Sequence, residues 1–394
     1  MRRFPPVTTV KINSPGHHLL SRLFSGIGHV FQNAIHEACS PSTLVFDINA
    51  QTQTDISRRV GSSGLKVSRI IIGCMTYGDK NWQPWVLDQE EAFPILKHAY
   101  DAGINTFDVA DTYSNGRSEE ILGAFLKEYR IPRNKVVIMT KVFHYVNPAR
   151  GAVDAAGQGR NDDVQVNQVG LSRKHIFDAV DASIARLGTY IDVLQTHRLD
   201  HEVSLEEAMK ALNDVVESGK ARYIGASSMA AWEFQMAQNI AEKHNWHRFI
   251  SMQGFYNLLY REEEREMNPY CAATSVGLFP WSPLAAGVLT HSWEDRTDER
   301  EKTDIFLKLL FRNKEIQGDK EIVQRVQKVA EKRGFSMAII AIAWVLSKGI
   351  MAPICGLYTK QQVDDSVKAL SVQLTEEEIK YLEEVYVSKA VMGY

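Results

Sequence analysis

No stretch of the 394-residue chain approaches the ~20 consecutive apolar residues that a membrane-spanning helix needs. The formal net charge of −3 likewise lacks the basic excess of a nucleic-acid binder, so neither a membrane nor a nucleic acid is an expected partner. Cysteine is scarce. Cys39, Cys74, Cys271 and Cys355 are scattered without a C-x-x-C, and although His36 and Cys39 stand at ligand spacing, no second pair nearby completes a structural zinc site. No metal is therefore expected, and a reducing compartment, the cytoplasm, is the expected location. Also missing are a P-loop and any G-x-G-x-x-G after the first apolar run, which weakens a doubly wound nucleotide-binding fold. What remains, at 44% hydrophobic and 24% charged residues, is an ordinary globular chain long enough for one large domain or two small ones.

Residues 1–57 differ from the rest. Pro5, Pro6, Pro15 and Pro41 interrupt them, no acidic residue precedes Glu37, and Leu19, Leu20, Leu23, Phe24, Ile27, Val30 and Phe31 recur at roughly helical spacing. Such a segment reads first as a dispensable extension, with an organelle presequence as the alternative; its low arginine count and early prolines favour the former.

From Arg58 onward short β-branched or apolar runs alternate with longer amphipathic segments. Eight strands are predicted, at 69–75, 106–110, 136–142, 192–198, 221–227, 249–256, 277–283 and 352–357. Helix starts are signalled by Asp88, Ser172 and Ser204, and helix ends by Gly103, Gly188, Gly219 and Gly334. Strict alternation implies parallel strands joined by right-handed crossovers, and eight is the number that closes a (β/α)8 TIM barrel spanning 58–394. Two long loops, 146–170 and 290–318, follow the third and seventh strands on the face where such barrels keep their chemistry.

Polar residues at the strand ends carry the functional signal. Asp108 ends the second strand and leads to Tyr113, Lys141 ends the third and His197 the fourth. Each alone has a plain structural reading, but four complementary titratable groups converging on one mouth are not a packing requirement. A tyrosine, with its usual pKa near ~10, is a poor proton source at neutral pH, and a neighbouring ammonium is expected to lower that value. Asp108 would hold Lys141, Tyr113 would protonate an oxyanion developing on a carbonyl, and His197 would donate to the same oxygen. With no activated serine or cysteine motif, such a centre needs a hydride from a nicotinamide cofactor.

The chain from Arg58 to Tyr394 resembles the aldo-keto reductase superfamily, in its aryl-alcohol-dehydrogenase-like and fungal secondary-metabolism branch. The resemblance rests on R-I-I-I-G-C-M-T-Y-G (69–78), G-I-N-T-F-D-V-A-D-T-Y-S-N-G-R-S-E-E-I-L-G (103–123), Y-I-D-V-L-Q-T-H-R-L-D (190–200), G-K-A-R-Y-I-G-A-S-S-M (219–229), M-Q-G-F-Y-N-L-L-Y-R (252–261) and P-W-S-P-L-A-A-G-V-L (280–289). It implies Tyr113 as acid/base, Asp108 and Lys141 as its tuning pair, and His197 as the group orienting the carbonyl. It further implies Ser227, Ser228 and Gln253 at the nicotinamide carboxamide, Trp281 under its ring, and Met75 and Thr76 by its ribose, with Asp108 nearby. Ser282, Leu284 and Gly287 would lie along the pyrophosphate and Thr359, Lys360, Gln362 and Ser366 around the adenosine 2′-phosphate, with Gly356, at the end of the last strand, also binding the cofactor.

Two departures bear on the cofactor. Ser227-Ser228 stands where Ser-Asn is usual, and Lys360 is the one cation in the segment where many relatives place an arginine, at the position of Tyr358 or Gln362. A phosphate is favoured by a cation, so NADP(H) is the expected cofactor, with NAD(H) left open. Tyr77, Trp82, Trp85 and His144 lie in loops after strands, and such aromatic walls suit an aromatic or bulky carbonyl compound as the small-molecule partner, held by His197, Tyr77 and Trp82. The alternative is a cofactor-binding regulatory subunit resembling the potassium-channel β-subunits, which share the barrel.

Overall fold

The computed structural model describes residues 56–149, 165–312 and 318–392. The chain divides between Thr52 and Gln53, and all described residues belong to the second unit. The apolar periodicity of the N-terminal extension and the His36–Cys39 pair lie outside the described residues, as do parts of both long loops.

The predicted alternation folds as a (β/α)8 barrel. Its strands are β3 (Ile71–Gly73), β4 (Thr106–Asp108), β5 (Val137–Val142), β6 (Ile191–Thr196), β7 (Ala221–Ser227), β8 (Phe249–Gln253), β9 (Gly277–Leu278) and β10 (Ile354–Cys355). Each pairs in parallel with its neighbour in the order β10-β3-β4-β5-β6-β7-β8-β9. The ring closes through backbone bonds from Met351 N to Leu278 O (3.2 Å) and from Ile354 N to Pro280 O (3.0 Å). Strands β9 and β10 are shorter than the runs 277–283 and 352–357. Pro280, Pro283 and Pro353 lack the amide that a ladder requires, and pairing beyond β9 resumes only as an isolated Phe255–Trp281 bridge.

A hairpin precedes the barrel where the extension was expected to run to residue 57. Strand β1 (Ser57–Arg59) pairs antiparallel with β2 (Lys66–Ser68) across Gly61, whose φ of 52° suits glycine. Val60 and Val67 of this hairpin pack with Ile71, Val137, Met139, Val193, Phe279 and Ile354, plugging one end of the barrel with apolar side chains. That plug fixes the height of the polar layer. Side chains two residues apart on a strand share a face, so Lys141 lies one layer above Met139, Gln195 one above Val193, and His197 one above that.

Helices start where the capping residues indicate. The Asp88 carboxylate accepts from the amides of Glu90 and Glu91 while Glu91 reaches back to the Asp88 amide, opening the helix Gln89–Asp101. Ser172 and Ser204 cap Arg173–Leu187 and Leu205–Glu217. Glu207 does not complete a capping box with Ser204; its carboxylate accepts instead from the Arg173 amide at 3.0 Å, tying the start of one helix to the next.

Candidate active site

The polar layer is a closed hydrogen-bond network. The Lys141 ammonium, fully buried, donates to Asp108 Oδ2 at 2.6 Å, to the Val109 carbonyl at 3.0 Å and to the Tyr113 hydroxyl at 3.1 Å. Asp108 Oδ1 accepts from Gln253 Nε2 at 2.8 Å and from Gln195 Nε2 at 3.1 Å, so both carboxylate oxygens are occupied. Burial alone would pull the Lys141 pKa down, but Asp108 and Tyr113 outweigh it and the net displacement is upward. Lys141 is therefore charged at neutral pH.

Tyr113 departs from expectation in one respect. Burial pushes its hydroxyl above the usual tyrosine range, further than Lys141 and Arg198 pull it down, with Asp108 adding to the rise. The expected lowering by lysine is present as a contribution and loses to desolvation. Tyr113 is thus held protonated at neutral pH.

Local sequence explains why Tyr113 is presented there. The turn Tyr113–Gly116 passes through positive φ at Ser114 (49°), Asn115 (50°) and Gly116 (87°). Ser114 Oγ accepts from the Asp79 amide at 3.1 Å, Asn115 Oδ1 from the Asn147 amide at 3.0 Å, and Ser118 Oγ donates to the Cys74 carbonyl at 2.7 Å. The S-N-G-R-S run clamps the tyrosine turn to the loops on either side. Behind it, Glu119 joins Thr140 (2.6 Å) to Arg186 (2.7 Å) in a buried bridge on the outer side of β5.

His197 stands at the mouth beside Tyr113, their ring centroids 5.8 Å apart, with the His144 ring 4.8 Å from His197. Burial, then the charges of Arg198 and Lys141 with His144, hold the His197 pKa well below its usual value, and burial with Arg198 pushes His144 down to about 3. Both imidazoles are neutral at physiological pH.

A trough runs from this centre across the mouth. Trp281 stacks on Phe255 (centroids 4.3 Å, 14°), which stacks on Tyr260 (4.4 Å, 21°), and its indole N–H donates to Ser228 Oγ at 3.0 Å. A half-buried aromatic plane fixed in this way can carry a flat heterocycle. Ser227 Oγ donates to the Gln253 carbonyl at 2.9 Å and keeps its acceptor capacity. Ser228, Ser282, Ala285 and Ala286 all take φ between 45° and 56°, an unusual concentration of left-handed non-glycine residues in one trough. Asn257 holds the segment by donating to the Ser282 carbonyl at 3.0 Å, and Leu284 and Gly287 follow. At the far end a β-carbon on Gly356 would meet Thr76 Oγ1 at 2.7 Å. Thr359 caps the helix Lys360–Ala369, leaving the Lys360 side chain exposed. This trough fits an extended dinucleotide: a stacking plane, hydroxyls and an amide beside it, and a helix N-terminus with a cation at its end.

With this geometry in view, comparisons with known proteins are informative. The sequence profile of the aldo/keto reductase family matches residues 69–387. The chain belongs to the aldo/keto reductase family. It is 57% identical over 334 residues to a versiconal hemiacetal acetate reductase of Aspergillus parasiticus, covering 84% of this chain and 97% of that one. A Schizosaccharomyces pombe protein named provisionally as an aryl-alcohol dehydrogenase is 53% identical over 85% of this chain and 96% of its own. An aldo-keto reductase of Metarhizium robertsii is 45% identical over 90% and 96%.

Several residues of this aldo/keto reductase stand elsewhere than the sequence suggested. Tyr77, expected to touch substrate, is buried, and its hydroxyl donates to the Leu357 carbonyl at 2.8 Å, locking the first loop to the last. Trp82 is buried against Trp85, with Met75, Tyr113 and Tyr358 around them, so it supports the mouth from behind. Ser366 is buried in the second turn of its helix and donates to the Gln362 carbonyl at 2.7 Å, while Gln362 Oε1 accepts from the Tyr358 amide at 2.7 Å. Of the expected adenosine-end residues Gly356, Thr359, Lys360 and Gln362 are exposed, and Lys360 alone among them carries a charge.

Other participants carried little sequence signal. Gln195 shares a strand face with His197, but an uncharged glutamine in an apolar run reads as filler. Arg300, from the long loop after β9, lies 4.4 Å over the Trp85 ring, pairs with Asp304 at 2.6 Å and reaches the Tyr358 hydroxyl at 3.4 Å. Only the charge of that loop was legible.

Proposed function

We propose that the protein is an NADP(H)-dependent reductase of aromatic or bulky aldehydes and ketones, with Tyr113 as the proton donor and a place in fungal-type secondary metabolism. The observation that carries this reading is the Asp108–Lys141–Tyr113 chain, with contacts of 2.6 and 3.1 Å and His197 beside it. Trp281 would support the nicotinamide ring, Ser227 and Gln253 its carboxamide, Ser282 to Gly287 the pyrophosphate, and Thr359 with Lys360 the adenosine phosphate. Bound there, a reduced nicotinamide supplies the hydride that the carbonyl carbon accepts.

The protein's own residues do the rest. His197, neutral, donates a hydrogen bond to the carbonyl oxygen and fixes its position. As that oxygen gains charge, Tyr113 transfers its hydroxyl proton to it, and the adjacent Lys141 ammonium stabilises the phenolate left behind. Asp108, pinned by Gln195 and Gln253, keeps Lys141 oriented between the two. The name of the versiconal hemiacetal acetate reductase supports reduction, and that of the aryl-alcohol dehydrogenase an aromatic substrate. The test is a panel of aromatic aldehydes and ketones assayed by loss of reduced-nicotinamide absorbance with NADPH and with NADH. Turnover of aryl aldehydes with NADPH is expected; binding of NADPH without turnover of any carbonyl would instead indicate a cofactor-binding regulatory protein.

A further inference from the structure

Arg198 is left over when the catalytic centre is accounted for. It follows His197 directly after β6, is half-buried, and its Nη1 donates to the His197 carbonyl at 2.6 Å. Arg133, Arg186, Arg261, Arg300, Arg312 and Arg325 each pair with a carboxylate. Among the described residues Arg198 has no such partner. A desolvated guanidinium without a counter-ion is costly, and burial accordingly pulls its pKa down, opposed by Tyr113. Adjacent to His197 and hydrogen-bonded to its carbonyl, Arg198 sits at the reacting end of the mouth, and its charge acts on Tyr113, His197 and His144.

The neighbouring groups share the same imbalance. The Nδ1 atoms of His197 and of His144 are buried without a hydrogen-bond partner. The carboxylate of this layer, Asp108, is already consumed by Lys141, Gln195 and Gln253. The mouth therefore offers a guanidinium without a counter-ion and two imidazoles with an unpartnered ring nitrogen, the His197 ring 5.8 Å from that of Tyr113 and the His144 ring 4.8 Å from that of His197.

We propose that Arg198, with His144, forms an anion subsite beside the reacting carbonyl, so that the enzyme prefers aldehydes and ketones carrying an anionic oxygen, a carboxylate or an ionised phenol, over their neutral counterparts. The inference rests on the carbonyl-reductase reading. A guanidinium binds such oxygens by paired, charge-assisted hydrogen bonds, and a partly desolvated site strengthens them. The substrate's charge replaces the counter-ion that the protein does not provide.

The test uses the full chain with NADPH and matched aldehydes: the 2-, 3- and 4-formylbenzoates against their methyl esters, and 4-hydroxy-3-nitrobenzaldehyde against its methyl ether. The charged member of at least one pair is expected to have a kcat/KM about tenfold higher. That ratio should collapse toward one in Arg198→Met and recover in Arg198→Lys. A preference confined to the formylbenzoates assigns the subsite to carboxylates, and one confined to the nitrophenol assigns it to phenolates. An Arg198→Met ratio equal to that of the wild type overturns the proposal, because an arginine acting only through Tyr113 would change charged and neutral rates together. Should the variants not fold, the wild-type ratio decides, and a value at or below one for every pair overturns it. Calorimetric binding of benzoate against benzamide reads the subsite without turnover: tighter benzoate binding supports it, equal binding overturns it. Turnover of the neutral esters with no charge preference removes the subsite alone; no turnover of any aldehyde removes the reductase reading.

Discussion

The Lys141 ammonium donates to the Tyr113 hydroxyl at 3.1 Å, yet burial holds that hydroxyl above the ordinary tyrosine range. The lysine does not make the tyrosine acidic at rest. In the proposed reaction it would stabilise the phenolate once the proton has left, the point at which stabilisation raises the rate.

A pH–rate profile follows from these directions. Tyr113, raised, is protonated at and above neutrality, so reduction should hold through pH 8 and fall only as pH rises through the tyrosine's elevated pKa; alcohol oxidation should rise over the same range. His197, lowered by burial, stays neutral in mild acid, so no loss of reduction is expected near the usual histidine pKa of about 6.5. Steady-state kcat for reduction between pH 5 and 10, in constant ionic strength, should stay flat on both sides of neutrality. An acid limb centred near 6.5 would mean that a solvent-titrating histidine controls the step.

Glu263 should couple stability to pH. Burial, with Glu262 adjacent, raises its pKa to about 7. A carboxyl whose folded pKa exceeds its unfolded value binds more protons when folded, so its contribution is favourable at low pH and is lost as pH rises through 7. The span from an unfolded value near ~4.3 amounts to about 4 kcal/mol. Glu263→Gln should therefore raise the thermal midpoint at pH 8 and, by roughly half as much, at pH 5.5, measured by calorimetry at both. Equal shifts at the two pH values would show that the carboxyl does not titrate in the fold.

Much of the site could be read in advance because a barrel converts strand position into depth. Asp108, Lys141 and His197 occupy strand ends or their immediate continuation, and period-two alternation delivers them to one mouth above an apolar plug. Contacts closed by tertiary structure were not legible. The Tyr77 hydroxyl bonds a carbonyl 280 positions away, so an aromatic that looked like a substrate wall is a wall bracket. The three-residue strands of the Ser57–Ser68 hairpin are too short for a periodic signal, and Pro280, Pro283 and Pro353 cut strands whose composition promised greater length.

Lys360 tests the cofactor assignment. It is the first residue of its helix, exposed and unpaired among the described residues, at the far end of the trough from Tyr113. Lys360→Ala should weaken NADPH binding about tenfold and NADH binding by less than about twofold, since one charge-assisted contact to a 2′-phosphate is lost. Titration of reduced-cofactor fluorescence measures both. Equal losses would remove Lys360 from phosphate recognition.

The division between Thr52 and Gln53 predicts that residues 53–394 retain the complete reductase. Purified, that fragment should match the full chain in kcat within about twofold and keep its thermal midpoint, whereas removal of the Ser57–Ser68 hairpin should abolish folding by opening the apolar plug. Loss of activity in the longer fragment would give the N-terminal extension a role in the barrel.

The central claim is that Tyr113 delivers the proton. Single-turnover reduction of an aryl aldehyde by Tyr113→Phe with NADPH, alongside cofactor titration of the same protein, addresses it directly. The account predicts a rate lower by about 10²–10⁴ with the NADPH dissociation constant within about twofold of wild type. A variant that reduces the aldehyde at the wild-type rate would contradict it.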